Sequence, residues 1–97
     1  MPLALLTLEL RIEHSQSLKD RRQVVRSLKD RLRQGFNVSV AELDQVVTWQ
    51  SATIGIAAIS GSRDYLRGQM EELQRAASRM VAELGAELGD SWWDFVE

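Results

Sequence analysis

Five basic residues recur at helical spacing within one segment of the chain. At intervals of three, four, three and four positions, they are Lys19, Arg22, Arg26, Lys29 and Arg33. On an α-helix this spacing places all five on one stripe, roughly 21 Å long at a rise of about 1.5 Å per residue. A phosphate backbone or an acidic protein surface requires such a row of cations. The alternative is a solvated helix face whose long side chains cover the edge of the core.

Residues suited to catalysis are few. The single histidine, His14, lies near Ser15 and Ser17, but a serine nucleophile needs a base and a group that orients the base. The absence of cysteine excludes a thiolate metal site or nucleophile, and no glycine-rich phosphate loop is present. We therefore expect no enzymatic activity, no catalytic residue, no metal and no cofactor. An unrecognised hydrolase acting around His14 is the remaining catalytic alternative.

Composition and charge limit the number of domains, the partners and the compartment that can be expected. The chain has 97 residues, with 44% hydrophobic and 27% charged, which predicts one folded domain over residues 1–97. The net charge of −2 gives no global attraction to nucleic acid or membrane, but residues 19–33 are basic and the last fifteen residues are acidic. The first residues lack a basic region, and Thr7 and Glu9 interrupt their apolar run. We expect a cytoplasmic protein with no membrane partner.

The first half of the chain predicts a strand, a helix and a second strand. Leu3 to Ile12 alternates between apolar and polar residues, as a half-buried strand does. A helix capped by Ser17 follows to about Gln34, with Gly35 expected in a left-handed conformation after it. Its apolar stripe is predicted to contain Leu18, Val24, Val25, Leu28 and Leu32. Alternation from Phe36 to Val40 predicts the second strand.

The second half predicts a strand, a helix and a final strand. Alternation over residues 49–60 predicts strand three, which forms a hairpin with strand two. Ser62 begins a long helix that ends near Gly85. Trp93 and Phe95 indicate a final edge strand, on which Trp92 and Trp93 must point to opposite faces. Trp49, at a strand end, is expected at the rim of the core.

The element order β-α-β-β-α-β predicts a ferredoxin-like α+β fold, in which two helices cover one face of a four-stranded antiparallel sheet. The other face is left open. Its small or apolar residues could pack against a second copy, so we expect a homo-oligomer; these interface candidates are Leu5, Gly55, Ala57 and Ile59. An ordinary surface with scattered apolar residues is the alternative. No aromatic residue falls on the open face of the central strands, so base stacking is not expected there.

Several segments resemble the YlxP-like family of small bacterial proteins. The resemblance is carried by residues 17–22 (SLKDRR), 36–44 (FNVSVAELD), 49–50 (WQ) and 53–57 (TIGIA). It implies a ferredoxin-like fold with no established activity, encoded beside genes for translation initiation and ribosome maturation. The chain departs from the family at residues 45–48 (QVVT), where polar and acidic residues and a leucine are usual, and at Ser51, where a basic residue is common.

Stripe and resemblance together favour a non-enzymatic binding module that contacts structured RNA or the ribosome through the first helix. A homo-oligomeric ligand-binding or scaffolding module built on the open sheet face is the alternative.

Overall fold

The computed structural model describes residues 1–96 and has the predicted element order. The elements are β1 (Leu3–Arg11), α1 (Leu18–Gly35), β2 (Ser39–Glu42), β3 (Ser51–Ile59), α2 (Arg63–Glu83) and β4 (Glu87–Phe95). The strands form one antiparallel sheet in the order β2-β3-β1-β4. This arrangement is ferredoxin-like, as predicted.

The core lies between the sheet and the two helices. The even-numbered residues of β1 are buried, as the alternation predicts. They pack in one cluster with the apolar stripes of both helices; its largest members include Leu6, Leu8, Ile12, Leu28, Leu32, Ile54, Ile56, Leu66, Met70 and Leu73. Each such side chain contributes about 1.5–3 kcal/mol on full burial. The cluster therefore fixes α1 and α2 on one face and leaves the opposite face open.

The two ends of α1 differ in how well they were predicted. Ser17 caps the helix, because its hydroxyl oxygen accepts a hydrogen bond from the Asp20 N–H at 3.1 Å. The prediction of a left-handed Gly35 was wrong. Phe36 leaves the helix in an extended conformation and donates its N–H to the Leu32 carbonyl at 3.0 Å. The positive φ occurs instead at Gly85, with φ 79°, where the chain turns from α2 towards β4.

Two strands are shorter than predicted. β2 begins at Ser39, because Phe36 still caps α1 and the Val38 N–H donates to the Phe36 carbonyl. β3 begins at Ser51, because a bridge between Thr48 and Ser51 closes a turn over residues 49–50. Both differences arise where a local turn takes backbone groups away from the sheet.

One residue of the predicted apolar stripe is misplaced. Leu18 is 51% exposed and lies outside the core. The inward position on the first turns of α1 is taken by Arg21, which is only 4% exposed. The rest of the predicted stripe is buried, so the error is confined to the start of the helix.

Candidate anion-binding groove

A groove of about 470 Å³ runs between α1 on one side and β2 with the following loop on the other. We call it the basic groove. Its lining residues are Leu18, Arg21, Arg22, Val25, Arg26, Lys29, Asp30, Arg33, Glu42 and Val47. A second depression on the outer side of α1 shares Arg22 and Arg26 and adds Lys19. The five predicted cations therefore border two adjoining concave surfaces.

Four of these five cations have no counter-ion among the residues that the structure describes. The ion pairs within residues 1–96 do not include Lys19, Arg22, Arg26 or Lys29. Lys29 is half-buried and the other three are exposed. Their positive charge is therefore directed to solvent or to a partner.

Arg33 is engaged differently from the other four. Its Nη2 donates to the Val40 carbonyl at 3.1 Å, and its Nη1 lies 4.0 Å from an Asp30 carboxylate oxygen. Val40 belongs to the edge strand β2. The guanidinium thus covers an edge carbonyl of the sheet. This contact leaves fewer of its N–H groups available to a ligand.

Beneath the groove lies a buried ion-pair network centred on Arg21. Its Nε donates to the Ser51 carbonyl at 2.9 Å, its Nη1 contacts Glu42 at 3.3 Å, and its Nη2 contacts Asp44 at 3.0 Å. The Asp44 carboxylate also accepts the Thr53 N–H. A planar guanidinium can satisfy acceptors in several directions at once. One side chain therefore ties α1 to both ends of residues 43–50, which we call the hairpin loop.

The sequence contained a signal for this network. Arg21, Val25, Leu28 and Leu32 follow the four-three-four spacing of a buried helix face. Hydrophobicity alone favours Leu18 for the first inward position. A buried arginine is expected only where carboxylates can reach it. Glu42 and Asp44 meet that need from a distant segment, which a helix pattern does not reveal.

The hairpin loop is further fixed to the β1–α1 connection. The Ile12 N–H donates to the Gln50 carbonyl at 2.8 Å, and the Gln50 side-chain amide donates to the Ser15 carbonyl at 3.3 Å. The hydroxyls of Thr48 and Ser51 are hydrogen bonded at 2.6 Å. Trp49, at the turn between them, is 52% exposed and not at the rim of the core as predicted.

On the open sheet face, the predicted interface residues have different surroundings. Leu5 and Ile59 are exposed and Ala57 is half-buried, whereas Gly55 is covered by Leu43. A Cβ atom at Gly55 would lie only 2.8 Å from Leu43 Cδ1. Leu43 therefore presents the apolar surface at that position, which the alternation of the strands does not indicate.

The C-terminal aromatic residues divide between the two faces of the sheet, as predicted. Trp92 pairs with Thr7 on the open face and is 42% exposed. Trp93 and Phe95 pack against the core, in an edge-to-face contact with 5.3 Å between ring centroids. The guanidinium of Arg63 lies 3.9 Å from the centre of the Phe95 ring. This aromatic pair stabilises the edge of the helical layer.

The His14 segment forms no catalytic arrangement in the described part of the chain. The buried Ser15 hydroxyl donates to the Ser17 carbonyl at 3.0 Å, and the Ser17 hydroxyl caps α1. Within residues 1–96, no hydrogen bond joins His14 to either serine. No group of three or more potential metal-ligating side chains is found among those residues. None of the described helices has the length and apolar character needed to cross a membrane.

Solved structures similar to this chain share its fold at low identity. The YXEP protein of Bacillus subtilis, a dinuclear metal-binding peptidase of the M20 family, aligns with a TM-score of 0.62 and 11% identity over 97% of this chain and 25% of that one. A C-terminal segment of the alpha subunit of aIF2 from Pyrococcus abyssi aligns with a TM-score of 0.51 and 15% identity, over 100% of this chain and 52% of that one. These similarities show the fold alone.

Sequence comparison gives the family. The uncharacterized protein YlxP of Bacillus subtilis (strain 168) is 42% identical over 59 residues, which make up 61% of each chain. The match thus spans about three fifths of that relative. The family described as protein of unknown function (DUF503) matches residues 3–88, from β1 into β4. The chain therefore belongs to DUF503, a YlxP-like family whose function is unknown.

Proposed function

We propose that the protein is a non-enzymatic cytoplasmic binding module whose basic groove holds part of an RNA backbone, with structured or ribosomal RNA as its partner. The observation that carries this proposal is a set of cations along one helix that form no ion pair within residues 1–96. Lys19, Arg22, Arg26 and Lys29 border the groove and its neighbouring depression without an ion pair in the described residues. Phosphate oxygens accept charge-assisted hydrogen bonds from such groups.

The placement of these cations has an energetic cost. Like charges three or four positions apart on a helix destabilise it by about 0.2–0.5 kcal/mol per pair. Several other arginines are neutralised or stacked: Arg21, Arg31 and Arg75 are in ion pairs, and Arg67 lies over Phe95. A polyanion in the groove would offset the repulsion within α1. The setting in translation is favoured by the gene neighbourhood that the family resemblance implies.

The salt dependence of binding tests this proposal. Each neutralised phosphate contributes about 0.7–0.9 to the slope of log K against log salt concentration. Four cations therefore predict a slope near −3 for the wild-type protein with structured RNA or ribosomal subunits. Fluorescence anisotropy between low and moderate salt measures it. A slope near zero, or no saturable binding to RNA, would contradict the proposal.

A second candidate function is a homo-oligomeric scaffold that uses the open sheet face. It is supported by the exposed apolar side chains on that face, namely Leu5, Leu43, Ile59 and Trp92. Exposed clusters of this kind often mark interfaces. Against it, Asp90 lies opposite Glu9, and Asp94 lies opposite Leu5, so one half of the face is acidic.

Sedimentation velocity separates the two candidates. If the open face is an interface, the wild-type protein forms a dimer and Ile59→Lys is a monomer. Val46→Lys is the matched control, because Val46 is an exposed valine of the hairpin loop and not part of that face. A wild-type monomer at all concentrations would exclude the oligomeric candidate and leave the groove proposal intact.

A further inference from the structure

We infer that the basic groove takes a single-stranded segment of nucleic acid and that Trp49 stacks on one of its bases. This inference rests on the proposed function of the groove and names the class of its ligand. Trp49 is 52% exposed and lies outside the core cluster.

The indole is displayed on a fixed turn. Trp49 and Gln50 occupy the turn closed by the Thr48–Ser51 bridge, and Gln50 is hydrogen bonded to the β1–α1 connection through its backbone and its side chain. On a mobile loop an exposed tryptophan could bury its ring against the protein. Here these hydrogen bonds hold the backbone, so the exposed ring surface is available to a ligand at little further entropic cost.

Trp49 closely follows the wall of the basic groove in sequence. Val47, two positions earlier, lines the basic groove. Two residues span at most about 7 Å of extended chain, which limits the Cα–Cα distance from Val47 to Trp49. On the far side of the turn, the Ser51 carbonyl accepts the hydrogen bond from Arg21 Nε. An exposed aromatic side chain is therefore attached within two residues of the groove wall.

This combination favours a single strand over a duplex. Proteins that bind single strands pair a basic groove for the backbone with aromatic side chains on which bases stack. In a double helix the base faces are stacked on each other and cannot reach Trp49. The groove, at about 470 Å³, also falls within the size range of small-ligand pockets. A duplex could only lie across it.

The experiment compares Trp49→Ala, Trp49→Phe and wild type on three probes of equal length: an oligouridylate, an oligothymidylate and an RNA duplex. We expect wild type to bind both single strands more tightly than the duplex. Trp49→Ala should weaken single-strand binding by about 5- to 150-fold, the range for loss of one base–aromatic stack. Duplex binding and the salt slope should not change, and Trp49→Phe should recover most of the affinity.

Trp92→Ala is the matched control, because Trp92 is similarly exposed but lies on the open sheet face. It should bind like wild type. Quenching of indole fluorescence by the oligouridylate should persist in Trp92→Ala and be lost in Trp49→Phe. Tighter binding of either single strand than of the duplex supports the inference. The comparison of oligouridylate with oligothymidylate then decides whether RNA or DNA is the ligand.

Other outcomes overturn the inference. If Trp49→Ala binds single strands as tightly as wild type, or if the duplex binds more tightly, the inference is wrong, while salt-dependent RNA binding would still support the proposed function. If the protein binds only an acidic polyglutamate peptide and none of the three nucleic acids, both the inference and the proposed function are wrong.

Discussion

Replacing Arg22 and Arg26 by glutamate is expected to weaken RNA binding by about 100-fold in moderate salt. Each charge-assisted hydrogen bond contributes about 1.5 kcal/mol, and 1.4 kcal/mol corresponds to a factor of ten in affinity. Both side chains line the basic groove and the neighbouring depression, so the double variant changes both surfaces. The slope of log K against log salt concentration should become shallower by at least about 1.4, because two phosphate contacts are lost.

The matched control is Arg75→Glu with Arg79→Glu, a pair four positions apart on the exposed side of α2. Each double variant lowers the net charge of −2 by the same amount, so a general charge effect would appear in both. Far-UV circular dichroism establishes that both are folded. Equal weakening in the two variants would show that net charge, and not the groove, governs binding.

Arg21→Ala is expected to lower the free energy of unfolding by about 3 kcal/mol. The substitution leaves Asp44, whose side chain is 12% exposed, without its cationic partner, and removing one partner of a buried ion pair costs about 3–5 kcal/mol. For a domain of this size that loss lowers the Tm by about 15 °C. Urea denaturation followed by circular dichroism measures the change.

Two further variants make this prediction specific to the network. Arg31 lies on the same helix as Arg21 and forms an exposed ion pair with Glu83 of α2. Arg31→Ala should lower the free energy of unfolding by less than about 1 kcal/mol. Arg21→Lys keeps the charge but lacks the guanidinium geometry that reaches Ser51, Glu42 and Asp44 together. Its free energy of unfolding should therefore lie between those of wild type and Arg21→Ala. An Arg21→Ala variant no less stable than Arg31→Ala would show that water solvates the carboxylates adequately.

The fold could be predicted from the sequence because its signals are local and agree with one another. Alternation in β1 and the Ser17 and Ser62 caps each fix an element, and the element order then leaves few topologies. The incorrect predictions lie at the ends of helices and strands, where a local turn competes for the backbone hydrogen bonds. Gly35 is followed by a residue that exits the helix in extended form, and no pattern in the sequence distinguishes that exit from a left-handed one.

The candidate site was only half accessible to sequence reasoning. The spacing of Lys19, Arg22, Arg26 and Lys29 shows a stripe, but the groove exists because the hairpin loop packs alongside α1. That packing depends on the Arg21 network, whose partners lie more than twenty positions away. Long-range ion pairs leave no periodic trace, so neither the opposing wall nor the exposure of Trp49 could be derived.

Residues 45–48, where the chain departs from the family resemblance, include two valines near the basic groove. Val47 lines the basic groove, and Val46 is 79% exposed beside it. Val47 therefore adds no negative charge to the wall of the groove that faces α1.

The pairing of β1 with β4 has a consequence for how the protein is made. The register joins Ala4 to Phe95, and the Val96 N–H donates to the Leu3 carbonyl at 2.7 Å. On the ribosome β1 is synthesised well before β4, so β1 must wait for its neighbour. Pairings between distant segments slow folding, and unpaired strand edges promote association with other chains. Nascent chains of this domain spend that interval with the central strand of the sheet open on one side.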